Sequence, residues 1–181
     1  MPKTRPKLVL IDAHALIHRA FHAIPFLATK DGELTNAVFG FTSTVLSVLK
    51  ELKPEYVAVS FDLPEPTFRH EKYEDYKATR QKAPDELRSQ FGRVREVVDA
   101  MSMPVFEIPG YEADDVLGSL AKQSSQKHDL DAYIVTGDKD SLQLLDDRVK
   151  VFTLRKGIKD TVIYTPKLLK EEVGLTPDEF I

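Results

Sequence analysis

Acidic side chains follow short apolar stretches at several points along this 181-residue chain. Asp12 comes directly after residues 8–11, and Asp62 directly after the β-branched and aromatic residues 56–61. Further carboxylates come soon after a third apolar segment, or one glycine after a fourth. The seven candidates are Asp12, Asp62, Glu112, Asp114, Asp115, Asp138 and Asp140. If the fold brings them together, they form a dense cluster of negative charge.

Such a cluster is unfavourable unless something neutralises it. Carboxylates within a few ångströms of one another repel, which either raises their pKa values or requires cations between them. Oxygen ligands in a chain without cysteine suit Mg²⁺ or Mn²⁺ better than zinc. A cluster of this size can hold two ions about 3.5–4 Å apart. The residue types therefore predict a two-metal site.

Each acid alone has a simpler interpretation. An aspartate after a strand, such as Asp12 or Asp62, is commonly a helix cap or a turn residue. Acids that open a helix, such as those at 112–115, commonly stabilise the helix dipole. Independent capping does not require acids at the same edge of a sheet in four successive units. The repetition therefore favours the metal site.

Strand-like and helix-like segments alternate along the chain and would position these acids. The strands are expected at residues 8–11, 56–61, 104–108 and 132–136, with a later hairpin at 149–154 and 162–164. The helices are expected at 13–23, at 36–52 with Asn36 as the cap, from 84 to about 101, at 111–126, after Asp140 and from Pro166. This alternation predicts an α/β fold with a mainly parallel central sheet and helices on both faces. Such sheets bind ligands at the carboxyl ends of their strands, where the acids would meet.

Composition places the chain among globular proteins and excludes several kinds of site. Its length fits one domain, expected over residues 1–181, and 42% of its residues are hydrophobic. The absence of cysteine excludes disulfides, thiolate zinc sites and iron–sulfur clusters. No apolar run approaches the roughly 20 residues of a membrane span, and residues 1–7 lack the apolar stretch of a signal peptide. A cytoplasmic location is therefore expected.

The charge distribution admits a nucleic-acid partner, although the net charge of −4 does not by itself indicate one. Outside the seven clustered acids, 22 acidic residues stand against 25 basic ones. Residues 63–84 are poor in aliphatic side chains and are expected to form an exposed, partly helical excursion. Its cations suit phosphates and its rings suit stacking on bases, whereas the alternative is a solvated helix with internal ion pairs. These side chains are Arg69, Lys72, Lys77, Arg80 and Lys82, with Phe68, Tyr73 and Tyr76.

Short motifs occur in one order over nearly the whole chain. They read LIDAH and RAFHA at 10–14 and 19–23, SFD at 60–62, TFR and YKATR at 67–69 and 76–80, GYEADDV at 110–116 and TGDKD at 136–140. In this order they resemble the 5′ nuclease domain at the amino end of bacterial DNA polymerase I, within the flap endonuclease and PIN-like superfamily. The chain is thus similar to the N-terminal part of that domain.

The resemblance implies a metal-dependent 5′-3′ exonuclease and flap endonuclease that hydrolyses DNA phosphodiester bonds in replication and repair. The seven acids would hold two divalent ions, Mg²⁺ or Mn²⁺, and residues 63–84 would form a helical gateway over the site. Lys77 and Arg80 would contact the scissile phosphate as catalytic residues, and Tyr76 would contact the displaced strand. Arg19 and Arg69 would bind nearby phosphates. The substrate would be DNA, or an RNA-primed strand, with a free 5′ end, a flap or a junction, and a polymerase domain would belong to the same parent chain.

Two departures from the family pattern accompany the resemblance. The family has glycine where Ala13 stands. Two further metal-site aspartates and the helix–hairpin–helix subdomain that grips duplex DNA are expected downstream of residue 181.

Other functions fit parts of the same pattern. A PIN-type ribonuclease would share the acidic pocket, and a non-catalytic DNA-binding module stays open while the downstream ligands lie outside the chain. A haloacid-dehalogenase-like phosphatase is disfavoured, because it needs an aspartate where His14 stands.

Overall fold

A six-stranded sheet forms the centre of the computed structural model, which describes residues 5–73, 76, 82–158 and 160–180. Its strands are β1 (Lys7–Asp12), β2 (Tyr56–Ser60), β3 (Val105–Phe106), β4 (Asp131–Val135), β5 (Val149–Lys156) and β6 (Asp160–Tyr164). Their order across the sheet is β3-β2-β1-β4-β5-β6. Neighbouring strands run parallel, except that β5 and β6 pair antiparallel. The prediction of an α/β fold with a mainly parallel sheet is confirmed.

Helices cover both faces of this sheet. They are α1 (Ala13–Ala23), α2 (Asn36–Leu52), α3 (Phe68–Lys72), α4 (Asp85–Ala100), α5 (Ala113–Lys127) and α6 (Pro166–Val173), with 3-10 turns at Asp140–Leu144 and Pro177–Glu179. Side chains of α1, α2 and α4 pack on one face with Val9 and Ile11 of β1. Side chains of α5 and α6 pack on the other face with Leu10. Each face therefore has its own apolar core.

The continuous apolar run of β1 is explained by its place between β2 and β4. Val9, Leu10 and Ile11 have no solvent-exposed surface. Burying such a side chain contributes about 1.5–3 kcal/mol. This packing anchors the strand on both sides, so the position of Asp12 at its carboxyl end is set by the core and not by a loose loop.

The prediction that Asn36 caps α2 is wrong. Thr35 occupies the cap position and makes no side-chain cap bond, while Asn36 is the first helical residue. The main-chain N–H of Ala37 instead donates to Oε1 of Gln90 in α4, at 2.8 Å. The amide of Asn36 is fully buried, donates to the carbonyl oxygen of Phe21 and accepts a hydrogen bond from Gln90. A side chain of α4 thus accepts the hydrogen bond that a local cap would otherwise provide at the start of α2.

Two other elements differ from expectation. β3 has two residues where a strand over 104–108 was expected, and the expected helix after Asp140 is a five-residue 3-10 turn. In the excursion at 63–84, α3 is a five-residue helix, whereas residues 74, 75 and 77–81 lie outside the described part of the chain. Within the described ranges, no helix is long and apolar enough to span a membrane.

Candidate metal centre

The carboxyl ends of β1, β2 and β4 meet at one edge of the sheet. Asp12 pairs in register with Ser60 of β2, and Ile11 with Val135 of β4. Asp62 comes two residues after Ser60, and Asp138 comes three residues after Val135. Parallel register therefore brings acids from three separate segments to a common edge, as the sequence predicted.

Asp12 is both the last residue of β1 and the N-cap of α1. Its Oδ1 accepts a hydrogen bond from the N–H of Ala15 at 3.0 Å, and its Oδ2 accepts one from Oγ1 of Thr136 at 2.9 Å. Burial raises the pKa of Asp12 to about 6, although the two hydrogen bonds act to lower it. Repulsion from the charges of Asp62 and Asp114 adds to the rise. Three candidate ligands are therefore close enough to affect one another's charge.

Ala13 fits its position without strain. It is the first residue of α1, is fully buried, and is not among the residues with positive φ in the described chain. An alanine in ordinary helical geometry is compatible with the cap that Asp12 forms. The departure from the glycine of the family pattern therefore leaves the turn after β1 intact.

The start of α5 contributes three of the acids. The N–H of Ala113 donates to Oδ1 of Asp62 at 2.7 Å, which ties the segment after β2 to this helix. Glu112 is the N-cap and forms a capping box with Asp115, whose Oδ2 accepts from the N–H of Glu112 at 3.1 Å. Burial and the neighbouring charges of Asp115 and Glu112 raise the pKa of Asp114. Glu112 and Asp115 therefore cap α5 and also belong to the group of neighbouring acids.

Arg69 of α3 lies against this acidic helix start. Its guanidinium donates to both oxygens of Asp115, at 2.5 Å and 2.8 Å, and lies 3.7 Å from Oε2 of Glu112. The hydrogen bonds to Asp115 raise the pKa of Arg69. The hydroxyl of Tyr76 donates to Oε2 of Glu112 at 3.2 Å. The described part of the basic and aromatic segment is thus placed beside the acids.

Asp138 and Asp140 join the cluster through the segment after β4. The N–H of Asp138 donates to Oγ1 of Thr136 at 3.0 Å, and the N–H of Asp140 donates to Oδ1 of Asp138 at 3.0 Å. Asp140 also lines a cavity of about 290 Å³ together with Asp114 and Asp115. Hydrogen bonds thus link Asp12, Asp138 and Asp140 through Thr136, and the cavity places Asp140 on the same side as the acids of α5.

The donor set fits hard divalent cations. All seven candidate ligands are carboxylates, and the rise in the pKa of Asp12 and Asp114 reflects burial, with a smaller contribution from neighbouring negative charges. Among the described residues, no three or more His, Asp or Glu side chains lie in an arrangement that could hold a metal ion. The contacts explain this, since Arg69 and main-chain N–H groups engage several of the oxygens.

The other predicted phosphate contacts have different placements. Arg19 donates to the carbonyl oxygens of Leu154 at 3.0 Å and Arg155 at 2.7 Å, so in this structure it binds the chain at the end of β5. Its contact with phosphate stays a prediction. Lys77 and Arg80 lie outside the described residues.

Sequence reasoning missed two further side chains, Thr136 and His14, that contact the acidic residues. Thr136 touches both Asp12 and Asp138, as described above. Nδ1 of His14 accepts a hydrogen bond from the N–H of Asp62 at 3.1 Å, and its ring lies 4.8 Å from that of Phe91. Their positions in the sequence could have indicated these contacts, because His14 follows Asp12 by two residues and Thr136 precedes Asp138 by two residues.

Residues 7–174 match the family described as 5′-3′ exonuclease, N-terminal resolvase-like domain. The chain is 44% identical over 177 residues to DNA polymerase I of Bacillus subtilis (strain 168) and covers 20% of that protein. It is 39% identical over 180 residues to DNA polymerase I of Mycobacterium tuberculosis (strain H37Rv), again covering 20% of it. In both alignments 98% of this chain is matched, so the chain spans about a fifth of the length of these relatives.

Solved structures of T5 nucleases and of human GEN1 share the fold. T5 5′-exonuclease with bound zinc matches with a TM-score of 0.74 and 22% identity, over 96% of this chain and 64% of that one. A T5 flap endonuclease variant, in a pseudo-enzyme-product complex with DNA and metal ions, gives a TM-score of 0.72 at 22% identity, over 96% and 63% of the chains. Human GEN1 in complex with Holliday junction DNA gives 0.53 at 16% identity, over 97% of this chain and 44% of that one.

Proposed function

Because the chain belongs to the 5′-3′ exonuclease family of N-terminal resolvase-like domains, we propose that it is a metal-dependent 5′ nuclease. It hydrolyses phosphodiester bonds of DNA near a free 5′ end, a flap or a junction, as an exonuclease and as a flap endonuclease. Residues 1–181 act as one nuclease unit, with residues 63–84 as a helical gateway. The parent protein also carries a polymerase domain, and the activity serves replication and repair, including removal of RNA-primed strands.

One observation carries this proposal. Asp12 is buried at the end of β1, its pKa is raised to about 6, and repulsion from Asp62 and Asp114 contributes to that rise. A purely structural cap has no reason to be buried among other carboxylates, because the cost of their repulsion lowers stability. Binding of divalent cations accounts for carboxylates gathered in this way, because the cations offset the repulsion between them.

The resident ions are proposed to be Mg²⁺ or Mn²⁺, held by the seven carboxylates named above. The chemistry supplied by such ions is a water acidified towards neutral pH and neutralisation of charge on the departing oxygen. The carboxylates from the four segments supply the negative charge that holds these ions. The rigid strand β1 and the capped start of α5 limit the movement of these ligands.

The basic segment is proposed to bind the substrate. Arg69 stands beside Asp115 and can offer its fork of N–H groups to a phosphate that approaches the acids. Tyr76 contacts Glu112, and this contact supports the proposal that Tyr76 meets the displaced strand beside the acids. By family resemblance, Lys77 and Arg80 contact the scissile phosphate and offset charge that develops on its oxygens.

The experiment uses the whole protein in which this sequence occurs. Labelled 5′-flap DNA, a nicked duplex, an RNA-primed strand and single-stranded RNA are incubated with Mg²⁺, with Mn²⁺ or with EDTA. We expect the flap to be cut with either ion and left intact in EDTA. Asp138→Asn should abolish cleavage and retain DNA binding, whereas Asp85→Asn, which changes an exposed side chain on α4, should cleave as the wild type does.

Other outcomes identify the alternatives. Preferential cleavage of single-stranded RNA would indicate a PIN-type ribonuclease. Flap binding without cleavage under any metal condition would indicate a DNA-binding module. Either result would overturn the proposal.

A further inference from the structure

Thr136 stands between two of the acids and contacts both. Its hydroxyl donates to Oδ2 of Asp12 at 2.9 Å and accepts from the N–H of Asp138 at 3.0 Å. The side chain has no exposed surface. One small neutral group therefore connects the end of β1 with the segment that follows β4.

The direction of these hydrogen bonds is determined by chemistry. A hydroxyl has one hydrogen to donate and lone pairs to accept with. The main-chain N–H of Asp138 can only donate, so the hydroxyl hydrogen points at the carboxylate of Asp12. A carboxylate that receives this bond is restricted in its rotation, because turning would leave a buried hydroxyl without an acceptor.

The backbone around Thr136 has little freedom to move. The N–H of Thr136 donates to the carbonyl oxygen of Phe152 in β5 at 3.2 Å, which continues the pairing of β4 with β5. A Cβ placed on Gly137 would lie 3.2 Å from the carbonyl oxygen of Ala15 in α1. The segment is thus held between α1 and the sheet, and the hydroxyl has a defined position.

We propose that Thr136 is a positioning residue, which holds the Asp12 carboxylate and the main chain at Asp138 in one fixed relation for divalent-cation binding. This inference rests on the proposed metal-dependent function. Thr136 acts through Asp12 and Asp138 and touches neither cation nor DNA. The hydroxyl of Thr136 occupies one lone pair of Oδ2 and the N–H of Ala15 occupies one of Oδ1, which leaves one lone pair on each oxygen of Asp12 for a cation.

The test compares Thr136→Val, which keeps the shape and removes the hydroxyl, with Thr136→Ser, which keeps the hydroxyl. Thr44→Val removes a buried hydroxyl from α2 and serves as the control. Mn²⁺ binding is measured by titration calorimetry in the whole protein without DNA. Unfolding midpoints are measured in EDTA and in Mn²⁺.

We expect Thr136→Val to weaken Mn²⁺ binding about 10- to 100-fold, the usual effect of losing a partner that orients a metal ligand. The rise in unfolding midpoint on adding Mn²⁺ should shrink with it. Thr136→Ser should bind Mn²⁺ within about threefold of the wild type, and Thr44→Val should match the wild type. A merely structural role would lower the midpoint in EDTA but leave the Mn²⁺-induced rise unchanged.

The outcomes separate this inference from the proposed function. Wild-type protein that takes up no Mn²⁺ would overturn both. Wild-type protein that binds Mn²⁺, with Thr136→Val equal to it or Thr136→Ser as weak as Thr136→Val, would overturn only the role of Thr136. If Thr136→Val does not fold, Thr136→Ala replaces it with the same two outcomes.

Discussion

The guanidinium of Arg69 binds the carboxylate of Asp115 through two hydrogen bonds, 2.5 Å and 2.8 Å long. The two residues are 46 positions apart in the chain, and both side chains are largely shielded from solvent, at 28% and 22% exposure. Asp115 is also a candidate metal ligand. Arg69 and a divalent cation are therefore alternative partners for the same negative charge.

The substitution Arg69→Gln removes the guanidinium that competes with a metal ion for Asp115. Because the positive charge next to Asp115 and Glu112 disappears, we expect Mn²⁺ to bind the DNA-free protein about 3- to 10-fold more tightly, or roughly 1 kcal/mol. The metal-free protein should lose about 1–3 kcal/mol of stability, since charge-assisted hydrogen bonds are lost. Calorimetry with Mn²⁺ and urea unfolding in EDTA measure the two effects.

Arg88→Gln is the matched control for Arg69→Gln, because it removes the same charge from an exposed pair with Asp85. It should change neither quantity. Unchanged or weaker Mn²⁺ binding in Arg69→Gln would show that the guanidinium does not compete with the cation.

The buried carboxylate of Asp12 predicts an unusual pH dependence of stability. Its pKa rises from 3.8 to about 6 on folding, so the folded state holds the proton more tightly than the unfolded state. The contribution of this proton to stability is complete below pH 3.8 and is lost as the pH rises through 6. Metal-free protein should therefore lose on the order of 2–3 kcal/mol from this group across that range.

Asp12→Asn isolates this contribution. The amide can still accept from the N–H of Ala15 but carries no charge, so metal-free Asp12→Asn should be more stable than the wild type above pH 6. Saturating Mn²⁺ should reverse the order, because only the wild type gains from binding. Urea unfolding between pH 4 and pH 8, with EDTA or Mn²⁺, measures both; parallel pH profiles for the two proteins in EDTA would contradict the prediction.

Local patterns in the sequence predicted most of the elements and the edge at which the acids meet. The apolar run before Asp12 is a fully buried strand, and the helical spacing after it gives α1. Because β1, β2 and β4 are parallel neighbours, their carboxyl ends lie at the same edge of the sheet. The acids at strand ends therefore predicted the edge of the sheet at which the candidate ligands lie, before any side-chain geometry was known.

Contacts between distant residues were not predictable from those patterns. The start of α2 has no local cap and is satisfied instead by Gln90, 53 positions further along the chain from Ala37. Likewise nothing near Asp115 indicates that Arg69 binds it, and nothing near Asp12 indicates its bond to Thr136. These pairs depend on how helices and loops pack, which propensity and periodicity do not encode.

Gln90 supplies a test of such a distant contact. Its Oε1 accepts from the N–H of Ala37, and its Nε2 donates to Oδ1 of Asn36 at 2.9 Å, with the whole side chain buried. Gln90→Leu leaves these buried groups unsatisfied and should cost about 2–4 kcal/mol of stability. Urea unfolding followed by circular dichroism measures the loss, and Gln126→Leu, at an exposed position of α5, should show little change. Equal stability of Gln90→Leu and wild type would mean that water or another side chain caps α2.

The catalytic role expected for Lys77 by family resemblance makes a kinetic prediction. If its ammonium offsets charge that develops on the phosphoryl oxygens, it acts more strongly in the transition state than in the ground state. Lys77→Ala should then slow single-turnover flap cleavage about 100- to 1000-fold, while flap affinity falls less than about 10-fold. Lys82→Ala removes an exposed lysine from the same segment and should alter affinity alone, because it contributes only to attraction of the backbone. Equal cleavage rates for Lys77→Ala and wild type would remove Lys77 from the reaction centre, and an equal loss in both lysine variants would assign it to general DNA attraction.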